Sequence, residues 1–171
     1  MAYKNGLHQD VHNLLNRQIN RELFSEYVYL ALATYFELVG FTGFSKWAHA
    51  SAAEERKHAL KIVDYLVGRN YAVIYKPIEV PDISCCKTAQ DVRAAFQCAL
   101  DHEQSVSDDW RAIVLMCLDK KDTTTHEFAQ WYVAEQVEEE RKVFDILQRL
   151  DIAGDDNILL VEELTVDALA G

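Results

Sequence analysis

The sequence contains very few of the residues that interrupt helices. Its 171 residues include only 6 glycines and 2 prolines, and both prolines, Pro77 and Pro81, fall in one short segment. Proline breaks the interior of a helix and glycine weakens it. This scarcity argues against a chain of short, turn-rich elements. Together with a hydrophobic content of 50%, it suits a largely helical globular protein, which we expect to form a single domain over residues 1–171.

Long apolar runs and paired cysteine motifs are also lacking. No stretch approaches the length of about 18 uncharged apolar residues that a membrane span requires, and the first residues contain no apolar signal region. The four cysteines form no C-x-x-C pair, and the adjacent Cys85 and Cys86 are poor disulfide partners. We therefore expect a soluble, cytoplasmic protein, without membrane contact, whose thiols are free in a reducing compartment.

Positive charge is the third scarce feature. The chain has 17 Lys and Arg residues against 28 Asp and Glu residues, so its formal net charge is -11. Such a surface repels nucleic acid and anionic membranes and attracts cations. An acidic excess alone usually serves solubility, so a cation-handling function requires that the acids form clusters.

Apolar residues recur at spacings of three and four in four long segments, as in helices with one buried face. The predicted helices cover Leu7 to Leu38, about Phe44 to Arg69, about Thr88 to Leu118 and about Thr124 to Leu150. The segment Asn70–Lys87 holds both prolines and predicts a long extended connection. We therefore predict an all-α, up-down four-helix bundle over about 7–151, with one crossover between helices two and three and a short C-terminal fifth helix at about 158–170.

A polar side chain interrupts the apolar face of each predicted helix near its middle. On helix one, Leu15, Glu22 and Tyr29 follow one another at seven-residue spacing. The inward positions at the same depth on helices two to four are Glu55, His58, Glu103, Gln136 and Glu139. Burying unpaired carboxylates costs several kcal/mol each, so these groups must be protonated, paired or bound to cations.

Glu55 and His58 stand three positions apart, so a helix directs both side chains to one side. A carboxylate and an imidazole supply one oxygen and one nitrogen ligand for a transition metal. The same Glu-x-x-His element occurs in di-iron carboxylate bundles. Because few lysines or arginines point inward to neutralise the acids, we interpret the polar level as a site for two divalent metal ions.

Several segments resemble ferritins of the non-haem prokaryotic kind: Asn20–Leu23, Tyr27–Leu30, Ala53–His58 and Ala134–Val137. This resemblance implies an iron storage protein with ferroxidase activity. Such a protein oxidises Fe(II) to Fe(III) with O2 or H2O2 and keeps the ferric mineral inside a homo-oligomeric cage of 24 subunits. The apolar tail helix fits a cage, since it would be exposed on a monomer.

The resemblance also implies roles for individual residues. Glu22, Glu55 and His58 would hold the first iron, and Glu55 would bridge to a second iron completed by Glu103, with Gln136 nearby. Tyr29 matches the tyrosine beside the centre that can supply an electron. The alternative is a packed core tyrosine whose hydroxyl bonds to a carboxylate, and both interpretations can hold together.

A third iron site is implied by Glu54, Glu135, Glu138 and Glu139. The alternative for the run Glu138–Glu140 is a solvated stretch of charge. Glu139 has the clearest case for a role as a ligand, because it lies beside Gln136 on the inward face of helix four.

No haem is expected. A haem-containing bacterioferritin would carry a second Glu-x-x-His where this chain has Gln136–Glu139, and a methionine where it has Arg56. The missing second motif also counts against the main alternative, a rubrerythrin-like di-iron peroxidase or oxidase that stores no iron. A further alternative is a helical interaction or cage protein whose acids bind no catalytic metal.

Overall fold

The computed structural model describes residues 6–170, with side chains through residue 166. Over this range the chain forms five α-helices and contains no strand: α1 Gln9–Leu38, α2 Thr42–Gly68, α3 Val92–Asp119, α4 Thr123–Ala153 and α5 Ile158–Ala170. Single 3-10 turns, Ala89–Asp91 and Asp155–Asn157, lead into α3 and α5. The predicted all-α bundle, its crossover and its C-terminal helix are confirmed.

Helix α2 begins two residues earlier than predicted because α5 caps it. Phe41, which precedes the helix, has no oxygen in its side chain to accept from the first N–H groups. Glu162 of α5 accepts instead from the N–H of Gly43 at 2.6 Å and of Phe44 at 3.2 Å. A Cβ on Gly43 would lie 2.6 Å from the Glu162 Cγ. Glycine at this position therefore permits the close approach of α5.

The crossover runs along α1, and two asparagines of that helix hold it in place. The Asn16 Oδ1 accepts from the N–H of Ile74, and the Asn20 Oδ1 accepts from the N–H of Lys76, both at 2.6 Å. Their amide groups donate to the carbonyl oxygens of Ala72 and Ile74. An extended backbone has no internal partners for these groups, so the asparagines replace those that a neighbouring strand would offer.

The bundle interior consists of two apolar clusters with a polar layer between them. One cluster includes Tyr29, Phe36, Phe44 and Phe96, and the other includes Leu15, Ile19, Ile62 and Trp110. Along every long helix, the inward polar residue falls between the segments that enter the two clusters. Among the described helices, none has both the length and the apolar character that crossing a bilayer requires.

Candidate metal centre

Each of the four long helices places polar side chains in this layer. Helix α1 contributes Glu22, α2 contributes Glu55 and His58, α3 contributes Glu103 and α4 contributes Gln136. Their exposed fractions lie between 0% and 6%. Because mid-helix backbone N–H groups bond within their own helix, side chains supply the ligand atoms of the layer.

Glu22 is held by two donors and keeps one oxygen free. Its Oε1 accepts from Trp110 Nε1 at 2.9 Å and from Gln18 Nε2 at 3.0 Å. Its Oε2 is buried and has no hydrogen-bond partner within the described chain. Neither donor was predicted from the sequence, although Gln18 precedes Glu22 by one helical turn. The two bonds fix the orientation of the carboxyl group and leave its second oxygen available to a cation.

His58 and Glu55 complete a three-residue group with Glu22. Ligand atoms of the three side chains all lie within 4.8 Å of one another. The His58 Nδ1 is 3.5 Å from Glu55 Oε2 but is buried and makes no hydrogen bond to the described residues. An unpartnered buried polar atom costs about 1–3 kcal/mol. One cation between these side chains would give both this nitrogen and the free Glu22 oxygen a partner.

The pKa of Glu55 lies well above its ordinary value. Burial is the main cause, and the nearby Glu103 and Glu22 carboxyl groups add to it. A carboxyl group in this position holds its proton until a positive charge arrives. Cation binding should therefore be coupled to proton release.

Glu103 lies between two donors. Its Oε1 accepts from the Tyr29 hydroxyl at 2.6 Å and its Oε2 from Gln136 Nε2 at 3.0 Å. Burial raises the pKa of Glu103 to about 7, although these two hydrogen bonds act to lower it. Burial and the adjacent Glu103 raise the pKa of Tyr29 well above its ordinary value, so the tyrosine stays a neutral donor.

A second acidic group adjoins the first through His58. Ligand atoms of His58, Glu135 and Glu139 lie within 4.8 Å of one another, and the His58 Nε2 is 3.7 Å from Glu135 Oε1. Burial raises the pKa of Glu139. The two groups therefore share one imidazole, with one ring nitrogen facing each.

Lys142 supplies a positive charge to this second group, which the sequence analysis did not predict. Its Nζ donates to Glu139 Oε1 at 2.9 Å and to Glu54 Oε2 at 3.2 Å. Partial burial disfavours the charged amine, but Glu139 and Glu54 together raise the pKa of Lys142. The spacing of three residues between Glu139 and Lys142 could have predicted this ion pair, because a helix places both side chains on one face.

The predicted run Glu138–Glu140 does not act as a unit. Glu139 is buried, whereas Glu138 is exposed and does not belong to the group around His58. Glu140 accepts a hydrogen bond from the Ser107 hydroxyl. The assignment of Glu138 to a third iron site stays a prediction.

Comparison with known proteins gives concordant matches. A family model described as "Ferritin-like domain" matches residues 12–153. A bacterial non-heme ferritin of Bacteroides fragilis is 31% identical over 154 residues, covering 90% of this chain and 94% of the relative. A bacterial non-heme ferritin of Campylobacter jejuni is 32% identical over 149 residues, covering 87% of each. The open pore ferritin of the archaeon Archaeoglobus fulgidus superimposes with a TM-score of 0.86 at 37% identity, covering 94% of this chain and 97% of that chain.

Proposed function

The chain belongs to the ferritin family, and we propose that it oxidises Fe(II) in the polar layer and stores the ferric product. The observation that carries this proposal is the pair of buried, unpartnered ligand atoms, Glu22 Oε2 and His58 Nδ1. They belong to one group with Glu55, whose carboxyl completes a set of two oxygens and one nitrogen. Fe(II) accepts such a mixed set of ligands.

The first iron is assigned to Glu22, Glu55 and His58, and the second to Glu55 and Glu103. Glu55 is assigned to both irons, as the resemblance to ferritins implies, and its carboxyl group lies near those of both Glu22 and Glu103. Gln136 orients Glu103 through its 3.0 Å hydrogen bond. The remaining coordination positions of each iron are open to water or oxidant.

Charge balance explains why the layer takes up cations. Glu55 and Glu103 both have raised pKa values, so in the iron-free protein protons offset part of their charge. Fe(II) replaces these protons and pairs with the carboxylates in a site of low polarity, where the attraction between opposite charges is strong. The bound carboxylates then stabilise Fe(III) more than Fe(II), which favours oxidation.

Two neighbouring irons supply the two electrons that each oxidant consumes. O2 with two electrons and two protons gives H2O2, and H2O2 with two electrons and two protons gives two waters. Tyr29 is positioned to supply a further electron, because its hydroxyl proton has an acceptor 2.6 Å away in Glu103 Oε1. Both Tyr29 and Gln136 thereby act on the second iron through Glu103.

The second acidic group is proposed as the route by which ferric product leaves. An acidic path leads outward from His58 and consists of Glu54, Glu135 and Glu139, with Glu138 at the surface. Lys142 now neutralises part of it and is 40% exposed, so it can swing into solvent when iron arrives. A third iron would bind here only in exchange for the Lys142 ammonium group.

Storage requires an enclosed space, and we propose a cage of 24 copies. Helix α5 supports this proposal because three of its leucines, Leu159, Leu160 and Leu164, are between 47% and 69% exposed in the single chain. Neighbouring subunits would cover such an apolar surface.

Aerobic addition of Fe(II) to the iron-free assembly tests the proposal. We expect a fast absorbance phase of about two irons per chain, followed by iron that elutes with the large assembly. The His58→Ala variant should slow this phase by roughly 100-fold or more while it still folds. His49→Ala is the matched control, since His49 is an exposed histidine of the same helix. Normal kinetics in His58→Ala would contradict the assignment.

The same experiment separates the main alternative. A fast phase without retained iron would indicate a di-iron peroxidase or oxidase that does not store, and absence of the fast phase would leave only a helical assembly.

A further inference from the structure

Three of the four cysteines meet where the crossover joins α3. Cys85 and Cys86 lie near the end of the crossover, and Cys98 lies on α3. The Cys85 Sγ is 2.6 Å from the Cys98 Sγ and 3.4 Å from the Cys86 Sγ. All three residues are partly exposed. Free thiols were predicted from the sequence, but the contact between Cys98 and Cys85 was not. The two residues are 13 positions apart and lie on different elements.

We propose that Cys85 and Cys98 are a redox pair, which hydrogen peroxide converts to an intrachain disulfide and a thiol reductant restores. Their sulfur atoms already lie side by side, so the bond can form without a large movement of the backbone. The adjacent Cys86 is the weaker partner for Cys85, because a disulfide between neighbouring residues distorts the peptide that joins them. This proposal is independent of the iron site.

Cys85 is the central sulfur of the three, because its Sγ contacts those of both Cys98 and Cys86. Burial, reinforced by the Cys85 thiol, raises the pKa of Cys98 to about 12, and burial also raises the pKa of Cys86. Oxidation of Cys85 would create an electrophilic sulfur directly beside Cys98.

The proposed chemistry has two balanced steps. The Cys85 thiolate attacks one oxygen of hydrogen peroxide, which gives a sulfenic acid and a hydroxide that takes up a proton. The Cys98 sulfur then attacks the Cys85 sulfur as it loses its proton, and water leaves. In total, two thiols and one peroxide become one disulfide and two waters.

The bond would fasten the end of the crossover to α3. The nearby crossover residues already have anchors of their own: the Tyr35 hydroxyl donates to the carbonyl of Thr88 at 2.7 Å, and Ile83 packs against an apolar cluster. A covalent link from Cys85 to Cys98 would close the intervening loop and restrict its local opening.

Thiol counting on the full-length, iron-free assembly tests the proposal. After treatment with hydrogen peroxide, the number of free thiols measured in denaturant should fall from four to two per chain. Peptide mapping should find Cys85 joined to Cys98, and dithiothreitol should restore four thiols. Four remaining thiols after peroxide treatment would overturn the proposal, as would a Cys85–Cys86 link or a link between chains on a non-reducing gel.

Single substitutions make the test specific. Cys98→Ser should form no intrachain disulfide on the peptide map, because its oxidised Cys85 lacks the partner sulfur, whereas Cys86→Ser and Cys117→Ser should each still lose two thiols per chain and form the Cys85–Cys98 link. Failure of both Cys86→Ser and Cys117→Ser to form that link would overturn the proposal, and the linkage map of the unsubstituted protein decides the question even if a variant fails to fold.

Discussion

Replacing Glu103 with glutamine should stabilise the iron-free protein at neutral and alkaline pH. Burial raises the pKa of this carboxyl group to about 7 in the folded protein, whereas a glutamate in an unfolded chain titrates at about 4.3. Below about pH 4 both states hold the proton, so the substitution has little effect. As the pH rises, the unfolded state ionises first, and the folded parent loses stability until the pH passes about 7.

The magnitude follows from that difference in pKa. It corresponds to about 4 kcal/mol of unfolding free energy at pH 8, or a melting temperature higher by roughly 8–16 °C in the variant. Glutamine has the same shape and keeps an oxygen for the Tyr29 hydroxyl. Its new NH2 group can donate to Gln136 once that amide turns over, which keeps the side-chain pair and gives up only the longer 3.3 Å bond from Gln136 Nε2 to the backbone carbonyl of residue 103.

Scanning calorimetry of the iron-free assembly between pH 4.5 and pH 8 measures this effect. Burial lowers the pKa of His102 to about 3, which adds its own pH dependence, but both proteins share it. The difference between them reports Glu103 together with its effect on the neighbouring Glu55 carboxyl group. Glu163→Gln, at an exposed carboxyl on α5, is the control and should change nothing. The reasoning is refuted if Glu103→Gln melts no higher than the parent at pH 8, or if its gain is the same at every pH.

Three further substitutions test neighbouring contacts. Tyr29→Phe removes one hydrogen bond to Glu103 and should slow iron oxidation roughly ten-fold. Redox-inert Zn(II) should still bind to this variant in a calorimetric titration. Unchanged oxidation would mean that Tyr29 is only a packing residue. Lys142→Gln removes the positive charge beside Glu54 and Glu139 and should raise the affinity for an additional Zn(II) ion by about ten-fold or more. An unchanged titration would mean that these acids do not bind metal. Glu162→Ala removes the cap of α2 and should lower the unfolding free energy by roughly 1–2 kcal/mol, a loss that a thermal scan would detect.

The inward acids could be predicted because helix periodicity is a local property. The seven-residue rows through Glu22, Glu55 and Glu103 require only that each helix buries its apolar face. When three helices carry polar side chains at the same depth, packing of these helices into a bundle brings the side chains together. The structure places these residues in one layer for the same reason.

The contacts that the sequence did not predict join segments far apart in the chain. Glu162 caps a helix 119 residues earlier, and Asn20 pairs with backbone 56 residues later. No local pattern distinguishes such a glutamate or asparagine from a solvated one. The meeting of Cys85 with Cys98 has the same origin, since it depends on how the crossover turns into α3.

The inner layer (Glu22, Glu55 and Glu103) and the outer group (Glu54, Glu135 and Glu139) are neutralised by different positive charges. This difference gives them different parts in the proposed function. In the inner layer, the raised pKa values of Glu55 and Glu103 favour protons that offset the charge, and Fe(II) can displace these protons into solvent. In the outer group, the offset comes from Lys142, which is tethered to α4 and can only move aside. The inner layer should therefore fill first at neutral pH. The outer group should compete for iron only after Fe(III) has formed in the inner layer. The extra positive charge of neighbouring Fe(III) ions then drives ferric iron toward the acids of the outer group.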